Sequence, residues 1–147
     1  MIKKVLTFYL CGRFLGIDVT LVKEINRNVD FSYVPGSQEH IVGLLNMRGQ
    51  VVTLFNLAKL LELDEEIEQR ALTCIILKTP KDPNQVGFLI DRPGDVIEID
   101  KEACELPPAN VGALECEFIN CIVKLKDELL MIIDPKKIFV DQRNIDI

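Results

Sequence analysis

Few residues in this chain stand where they could do covalent or metal chemistry. Cys116 and Cys121 form a C-x4-C pair, but Cys11, Cys74 and Cys104 are scattered and His40 is the single histidine. A structural zinc site needs four ligands, so the pattern offers no metal centre. Pro35-Gly36-Ser37 supplies a serine with no identifiable base or orienting acid, and a serine nucleophile needs both. Asp91, Asp95 and Asp100 could gather in space, yet acids so spaced commonly serve as local turn and cap acceptors. His40 follows Gln38 and Glu39 and reads as solvated surface. G-x-G-x-x-G, G-x-x-x-x-G-K-[ST] and G-x-S-x-G are all absent, which leaves neither a phosphate cradle nor a nucleophile elbow.

The remaining candidate is Arg48. It lies in the mostly apolar segment GLLNMRGQVVTLFNL, between Met47 and Gly49. Two readings stand. In one, its stem packs on apolar neighbours while the guanidinium reaches water. In the other it is a recognition residue, a rigid fork of five donors set by a glycine turn at the lip of an apolar surface. Arginine is enriched at protein-interface hot spots.

The elements that must position it are short. Residues 5–11 (VLTFYLC) read as a strand, Gly12-Arg13 as a turn, and residues 14–17 as a return strand. Asp18 is placed to cap a short helix whose apolar side is Leu21, Val22 and Ile25. Residues 31–34 form an extended piece stopped by Pro35-Gly36, and QVVTLF (50–55) is a strand. Asn56 caps a short helix with Leu57, Leu60 and Leu61 on one face. An acidic exit loop follows at 62–70. Residues 71–77 and 85–90 pair as a hairpin around TPKDPN, 91–94 is a turn, and 96–99 alternates as an edge strand does. LPPAN is irregular, a second hairpin joins 118–125 to 129–133, and Asp134-Pro135 starts a last helix carrying Ile138 and Phe139. Many short strands with few short helices predict a mainly β fold built on one or two barrels, not a doubly wound sheet. No tandem repeat is evident; two subdomains would divide near 62–70 and share chain at the ends.

Composition narrows the partners. The 147 residues carry 17 basic and 23 acidic side chains, a net charge of -6 and a pI near 4.8. That balance, with no tryptophan and no basic–aromatic strand pattern, speaks against nucleic acid. No apolar run is long enough to span a bilayer. The start, MIKKVLTFYLCGRFLG, is broken by Gly12 and Arg13 and reads as a strand rather than a leader. An odd, scattered set of five cysteines points to reduced thiols in the cytoplasm. Cys11, Cys74 and Cys121 lie in apolar runs and read as buried, and Cys116 as the most exposed.

The segment Ile41-Val42-Gly43-Leu44-Leu45-Asn46-Met47-Arg48-Gly49-Gln50-Val51-Val52 is similar to Ile-x-Gly-x-x-Asn-Leu-Arg-Gly-x-Val-Ile, the most specific motif of a family that the whole chain resembles, the CheW-like family of chemotaxis adaptors. Phe14 to Asp18, Val22-Lys23-Glu24-Ile25, Pro35, Val86-Gly87-Phe88-Leu89-Ile90-Asp91 and Leu129 to Asp134 match further family elements. Met47 replaces the usual leucine, Thr53 a frequent proline, and Asn56-Leu57-Ala58 the usual Asp-Leu-Arg. Asn120-Cys121 occupies a stretch where glycine is common.

The resemblance implies a single domain over residues 1–147, made of two intertwined five-stranded SH3-like β-barrels with short helices. It implies no catalytic activity and no cofactor. The implied partners are the regulatory domain of the chemotaxis histidine kinase and the cytoplasmic tip of a methyl-accepting chemoreceptor, with no nucleic acid and no direct insertion into the membrane. The protein would be cytoplasmic and recruited to receptor arrays. The coupling residues it implies are Asn46, Met47, Arg48, Gly49, Val86 and Asp91. The rival readings are a small β-barrel enzyme or ligand-binding domain, and a scaffold of the same family serving another sensory pathway.

Overall fold

The computed structural model describes residues 2–27, 30–32, 41–61, 73–78, 85–106 and 118–137. Eleven strands run through them: β1 (Ile2–Leu10), β2 (Arg13–Asp18), β3 (Val22–Arg27), β4 (Ile41–Met47), β5 (Gln50–Phe55), β6 (Thr73–Leu77), β7 (Gln85–Ile90), β8 (Arg92–Asp100), β9 (Cys104–Glu105), β10 (Ile119–Lys124) and β11 (Leu129–Ile133). They form a six-stranded sheet in the order β8-β1-β2-β11-β10-β9 and a five-stranded sheet in the order β3-β6-β7-β5-β4. The mainly β fold is as expected.

The two sheets repeat one pattern. In the first, the β1–β2 hairpin joins the β10–β11 hairpin through a parallel β2–β11 pair, and β9 lies beyond β10. In the second, the β4–β5 hairpin joins the β6–β7 hairpin through a parallel β5–β7 pair, and β3 lies beyond β6. Each pattern holds five strands, and β8 is a sixth laid against β1. The first sheet combines strands from both ends of the described chain. The strands flanking 62–70, β5 and β6, share one sheet, and the chain passes between sheets at Val19–Leu21 and at Asp91. Residues 33–40, 62–72, 79–84, 107–117 and 138–147, where Pro35, Ser37, His40, the acidic loop, the TPKDPN loop, all of LPPAN but Leu106, Cys116 and the end of the last helix were expected, lie outside the described residues.

Alternation along each strand sorts side chains into three apolar clusters. Leu45, Val52, Leu54, Cys74, Ile76 and Leu89 fill the inside of the five-stranded sheet. Val5, Ile99, Cys121, Val123, Leu130 and Ile132 fill the inside of the six-stranded one. The third and largest cluster takes side chains from both, including Leu6, Phe8, Leu15 and Ile17 from one and Phe55, Ile75, Leu77, Val86, Phe88 and Ile90 from the other. Phe8 and Phe88 meet there with ring centroids 5.6 Å apart at a 50° tilt. Strands β6 and β7 are therefore buried on both faces. That is why their sequences, TCIIL and QVGFLI, carry no polar alternation. Cys11, Cys74 and Cys121 are buried as expected, and burial, opposed by a backbone hydrogen bond from Asn26, pushes the Cys74 thiol up to about 11.

Three local expectations change. The helix expected after Asp18 is a three-residue 3-10 turn at Val19–Leu21, and Val22 and Ile25 belong to β3. β-Branched residues favour a strand once an edge is available, and β6 provides it. The turn placed at Gly12-Arg13 lies one residue earlier, at Cys11-Gly12, where both φ angles are positive (51° and 74°) and Leu10 pairs with Arg13. The turn expected at 91–94 narrows to Asp91, because Arg92 and Pro93 already pair with Tyr9 and Phe8. Proline is tolerated there because β8 is an edge strand. The capped helix α1 (Leu57–Leu60) is as expected, with the Lys59 N–H donating to Asn56 Oδ1 at 3.2 Å. Residues 135–137 are helical, and the Lys136 N–H donates to Asp134 Oδ1 at 3.0 Å.

Asp18 marks a passage between the sheets. Its Oδ1 accepts from the Thr20 N–H at 3.0 Å and the Thr20 hydroxyl at 2.8 Å, and Lys3 Nζ lies 3.6 Å from Oδ2. Burial raises its pKa, but the Thr20 hydrogen bonds and Lys3 outweigh it and hold the carboxyl below 3.8. A lowered native pKa stabilises the fold above the unfolded value and is lost as pH falls through the native one. Asp18→Ala is expected to cost about 1 kcal/mol at pH 7. In urea titrations over a pH series, its deficit relative to wild type should shrink below about pH 4, where the unfolded carboxyl protonates.

Candidate functional site: an arginine at the tip of an edge hairpin

β4 and β5 pair from Ile41↔Phe55 to Met47↔Gln50, which leaves a two-residue loop, Arg48-Gly49. Both loop residues have positive φ, 52° and 80°. These are the angles of a type I′ turn, whose twist matches that of the strands it joins and which favours Asn-Gly or Asp-Gly. Gly49 adopts its angle freely. Arginine does not: a left-handed angle costs a non-glycine residue about 1–2 kcal/mol. An added Cβ at Gly49 would meet nothing within 4 Å, so the demand for glycine is one of backbone angle alone.

The strained arginine is not held in the core. Its side chain is 79% exposed, and its Nη1 lies 3.5 Å from Glu24 Oε2 on β3. Asn26 Nδ2, also on β3, reaches Met47 Sδ at 2.8 Å. β3 and β4 are the two outer strands of the five-stranded sheet, so these side-chain contacts bring its edges together and curl it toward a barrel. On the opposite side of the turn, Gln85 Nε2 donates to Gln50 Oε1. Ion pairs this exposed contribute roughly 0–1 kcal/mol, so Glu24 orients Arg48 more than it anchors the fold.

Beyond the turn, Leu44 and Asn46 share the outward face of β4, with Thr53 and Val51 opposite them on β5. Leu44 is 37% and Val51 45% exposed. Inward, Leu45 joins the apolar interior and Met47 packs against it. The outer edge of β4 is braced by Ser32, which exchanges two backbone hydrogen bonds of 2.8 Å with Leu44. Gly43 makes this approach possible, since a Cβ there would collide with the Ser32 carbonyl and the Phe31 ring.

The sequence-derived set therefore splits. Asn46, Met47, Arg48 and Gly49 come together at the hairpin tip. Val86 sits on β7 beside Thr53 of β5 and is fully buried in the shared core. Its side chain is enclosed by the strands around it. Asp91 braces the other type I′ turn: its Oδ2 accepts from the Cys11 N–H at 2.8 Å, and its own N–H donates to the Tyr9 carbonyl at 3.0 Å. Glu24, Asn26 and Gln85 hold the tip, Leu44 and Val51 lie exposed on the hairpin's outward face, and none of the five was singled out. Glu24 carried a signal in the Val-x-Glu-Ile element; Leu44 and Val51 carried none, because an apolar residue in a strand does not announce which face it takes.

Among the described residues no cluster of three or more histidine, cysteine or acidic side chains could hold a metal, and no helix is long and apolar enough to cross a membrane. The site is an exposed arginine turn at the tip of an edge hairpin of a two-sheet β domain. The chain belongs to the CheW-like domain family, whose model matches residues 4–143. It is 34% identical over 137 residues to the chemotaxis protein CheW of Bacillus subtilis, covering 92% of this chain and 86% of that one. It is 28% identical to the chemotaxis protein CheW of Treponema pallidum, covering 92% and 81%. Among solved structures, the scaffolding protein TtCheW of Thermoanaerobacter tengcongensis superposes with a TM-score of 0.79 at 28% identity, over 91% of this chain and 90% of that chain.

Three substitutions separate the demands on this hairpin. Gly49→Val should lose about 1–2 kcal/mol or more from the turn angle, although an added Cβ meets no neighbour within 4 Å. Gly43→Ala should also destabilise, by displacing the Ser32 bridge. Arg48→Asn should gain up to about 1 kcal/mol, because asparagine visits the left-handed region readily. Urea midpoints at unchanged m-value read all three; a destabilised Arg48→Asn would show that the arginine is structural.

Proposed function

We propose that this chain is a non-enzymatic scaffold of bacterial chemotaxis that couples receptors to the histidine kinase. One face would take the cytoplasmic hairpin tip of a methyl-accepting chemoreceptor and another the kinase's CheW-like regulatory domain. In this reading the protein works in the cytoplasm, recruited to receptor arrays at the membrane, and residues 1–147 act as one CheW-like domain. The observation that carries it is Arg48: a residue kept at a turn angle that disfavours it and extended into solvent at the tip of the β4–β5 hairpin. Backbone strain without a folding benefit points to a role outside the fold. The names of the relatives, chemotaxis protein CheW and a CheW scaffolding protein, support the pathway.

The chemistry suits a protein partner. On the outward face Leu44 and Val51 offer apolar area and Asn46 offers hydrogen bonds, and at the tip the guanidinium can take a carboxylate with two parallel donors. Arg48→Glu removes the fork and sets a like charge against an acidic partner surface. Loss of a buried charged contact commonly costs about 2–5 kcal/mol, whereas surface changes move folding stability by about 0.5 kcal/mol or less. Calorimetric titration of Arg48→Glu and Arg48→Asn with a receptor tip and with the kinase regulatory domain should therefore show weakened binding to one or both by folded proteins. Wild-type affinity of both variants for both partners would refute the coupling role of Arg48.

A further inference from the structure

Two thiols meet at the edge of the six-stranded sheet, away from the Arg48 hairpin. β9 consists of Cys104 and Glu105, and it is held to β10 by the pairs Val123↔Cys104 and Ile122↔Glu105. Cys121 lies two residues before Val123 on β10, on the same face, diagonal to Cys104. Cys121 belongs to the apolar interior of this sheet and Cys104 packs against it. The two side chains interact directly: Cys121 is pushed up to about 12 by burial first and then by the neighbouring Cys104 thiol. Both are free thiols, Cys121 buried and Cys104 partly open to solvent. One thiol is thus reachable and the other waits beneath it.

We propose that Cys104 and Cys121 form a reversible redox pair that a two-electron oxidant such as hydrogen peroxide closes into a disulfide, stapling β9 to β10. The sulfur of Cys104 attacks one peroxide oxygen. The O–O bond breaks, a sulfenic acid forms on Cys104, and the departing hydroxide leaves as water with the thiol proton. The sulfur of Cys121 then attacks Cys104: the S–S bond forms, the S–O bond breaks, and the Cys121 proton leaves with the hydroxyl as a second water. Two thiols lose two electrons in all and the peroxide gains them.

The geometry makes the bridge reversible. Diagonal residues on paired strands stand about 7–8 Å apart at Cα, and a disulfide spans at most about 6.8 Å. Closure must therefore shift β9 along β10. A two-residue strand at a sheet edge, followed by the exposed Leu106, is the part of this sheet least able to resist. A bridge closed under strain is more easily reduced, so thiol reductants should reopen it. The expected reduced cytoplasmic state is then the resting state of a pair that oxidation can change. The proposal is independent of the coupling role of Arg48.

The test treats the reduced full-length chain with hydrogen peroxide, blocks remaining thiols by alkylation, and maps peptides without reductant. Loss of two of the five thiols, a cross-linked peptide joining Cys104 to Cys121, and full recovery of the thiols with dithiothreitol are expected. Cys104→Ser, a change at the sheet edge, should abolish the cross-link, and Cys121→Ala should do the same and leave Cys104 as an alkylatable or sulfenic residue. Cys116→Ser should leave the cross-link intact. Five unmodified thiols after peroxide, a bridge between any other pair, or oxidation of Cys104 beyond the sulfenic level without a cross-link would overturn it.

Discussion

Everything in this fold depends on burying both faces of the strands that stand between the two sheets. Phe8 and Phe88 press together at the centre of the shared cluster, while the alternate side chains of the same or neighbouring strands, Val5 on one side and Leu89 on the other, fill separate interiors. Aromatic pairs of this kind contribute about 0.5–1.5 kcal/mol beyond the area they bury. Their larger effect is geometric. Each sheet completes its own interior only while the shared layer holds the strands in register, so the two halves stabilise one another. Chain connectivity adds to this, since the strands of the first sheet come from both ends of the described chain and enclose the second in sequence.

That constraint frees the outer strands for other work. The β4–β5 hairpin is anchored where β5 pairs with β7 and enters the shared core at Phe55. Its far end therefore need not contribute stability, and it can carry Arg48 at an unfavourable angle with Leu44 and Val51 in water. The contacts that fix the tip, Asn26 to Met47 and Glu24 to Arg48, are side-chain contacts between two edge strands rather than a backbone ladder. They set orientation at little energetic cost. The corresponding turn in the other sheet, Cys11-Gly12, has the same angles but the opposite use: Cys11 is buried and Asp91 accepts from its backbone. One hairpin type thus serves once as a structural corner and once as a projecting tip.

The Cys104–Cys121 juxtaposition follows from the same architecture. β9 corresponds in the sheet pattern to β3, the last strand beyond a hairpin. β3 is held by pairs running from Val22 to Arg27, β9 by only two. The weaker of two equivalent edges is the one that carries a half-accessible thiol over a buried one. Movement there would leave the shared core unchanged, because neither cysteine belongs to it.

The sequence by itself determined the mainly β class, the bounds of QVVTLF and QVGFLI as strands, the Asn56 cap, both later hairpins, and Arg48-Gly49 as a turn. These rest on local preferences that do not wait for the fold: β-branched runs, an amide at a helix start, glycine where φ is positive. Three features were decided only by tertiary structure. Val22–Arg27 became a strand because β6 offered it an edge. Val86 was enclosed between the sheets, and Asp91 was drawn to the Cys11 backbone. Leu44 and Val51 became exposed because pairing register fixed which way each side chain points. The internal similarity of the two sheets, expected only through the family resemblance, lies in strand pairing and not in a repeated sequence. In each case the deciding partner is distant along the chain, and a local pattern carries no information about which distant strand will cover it.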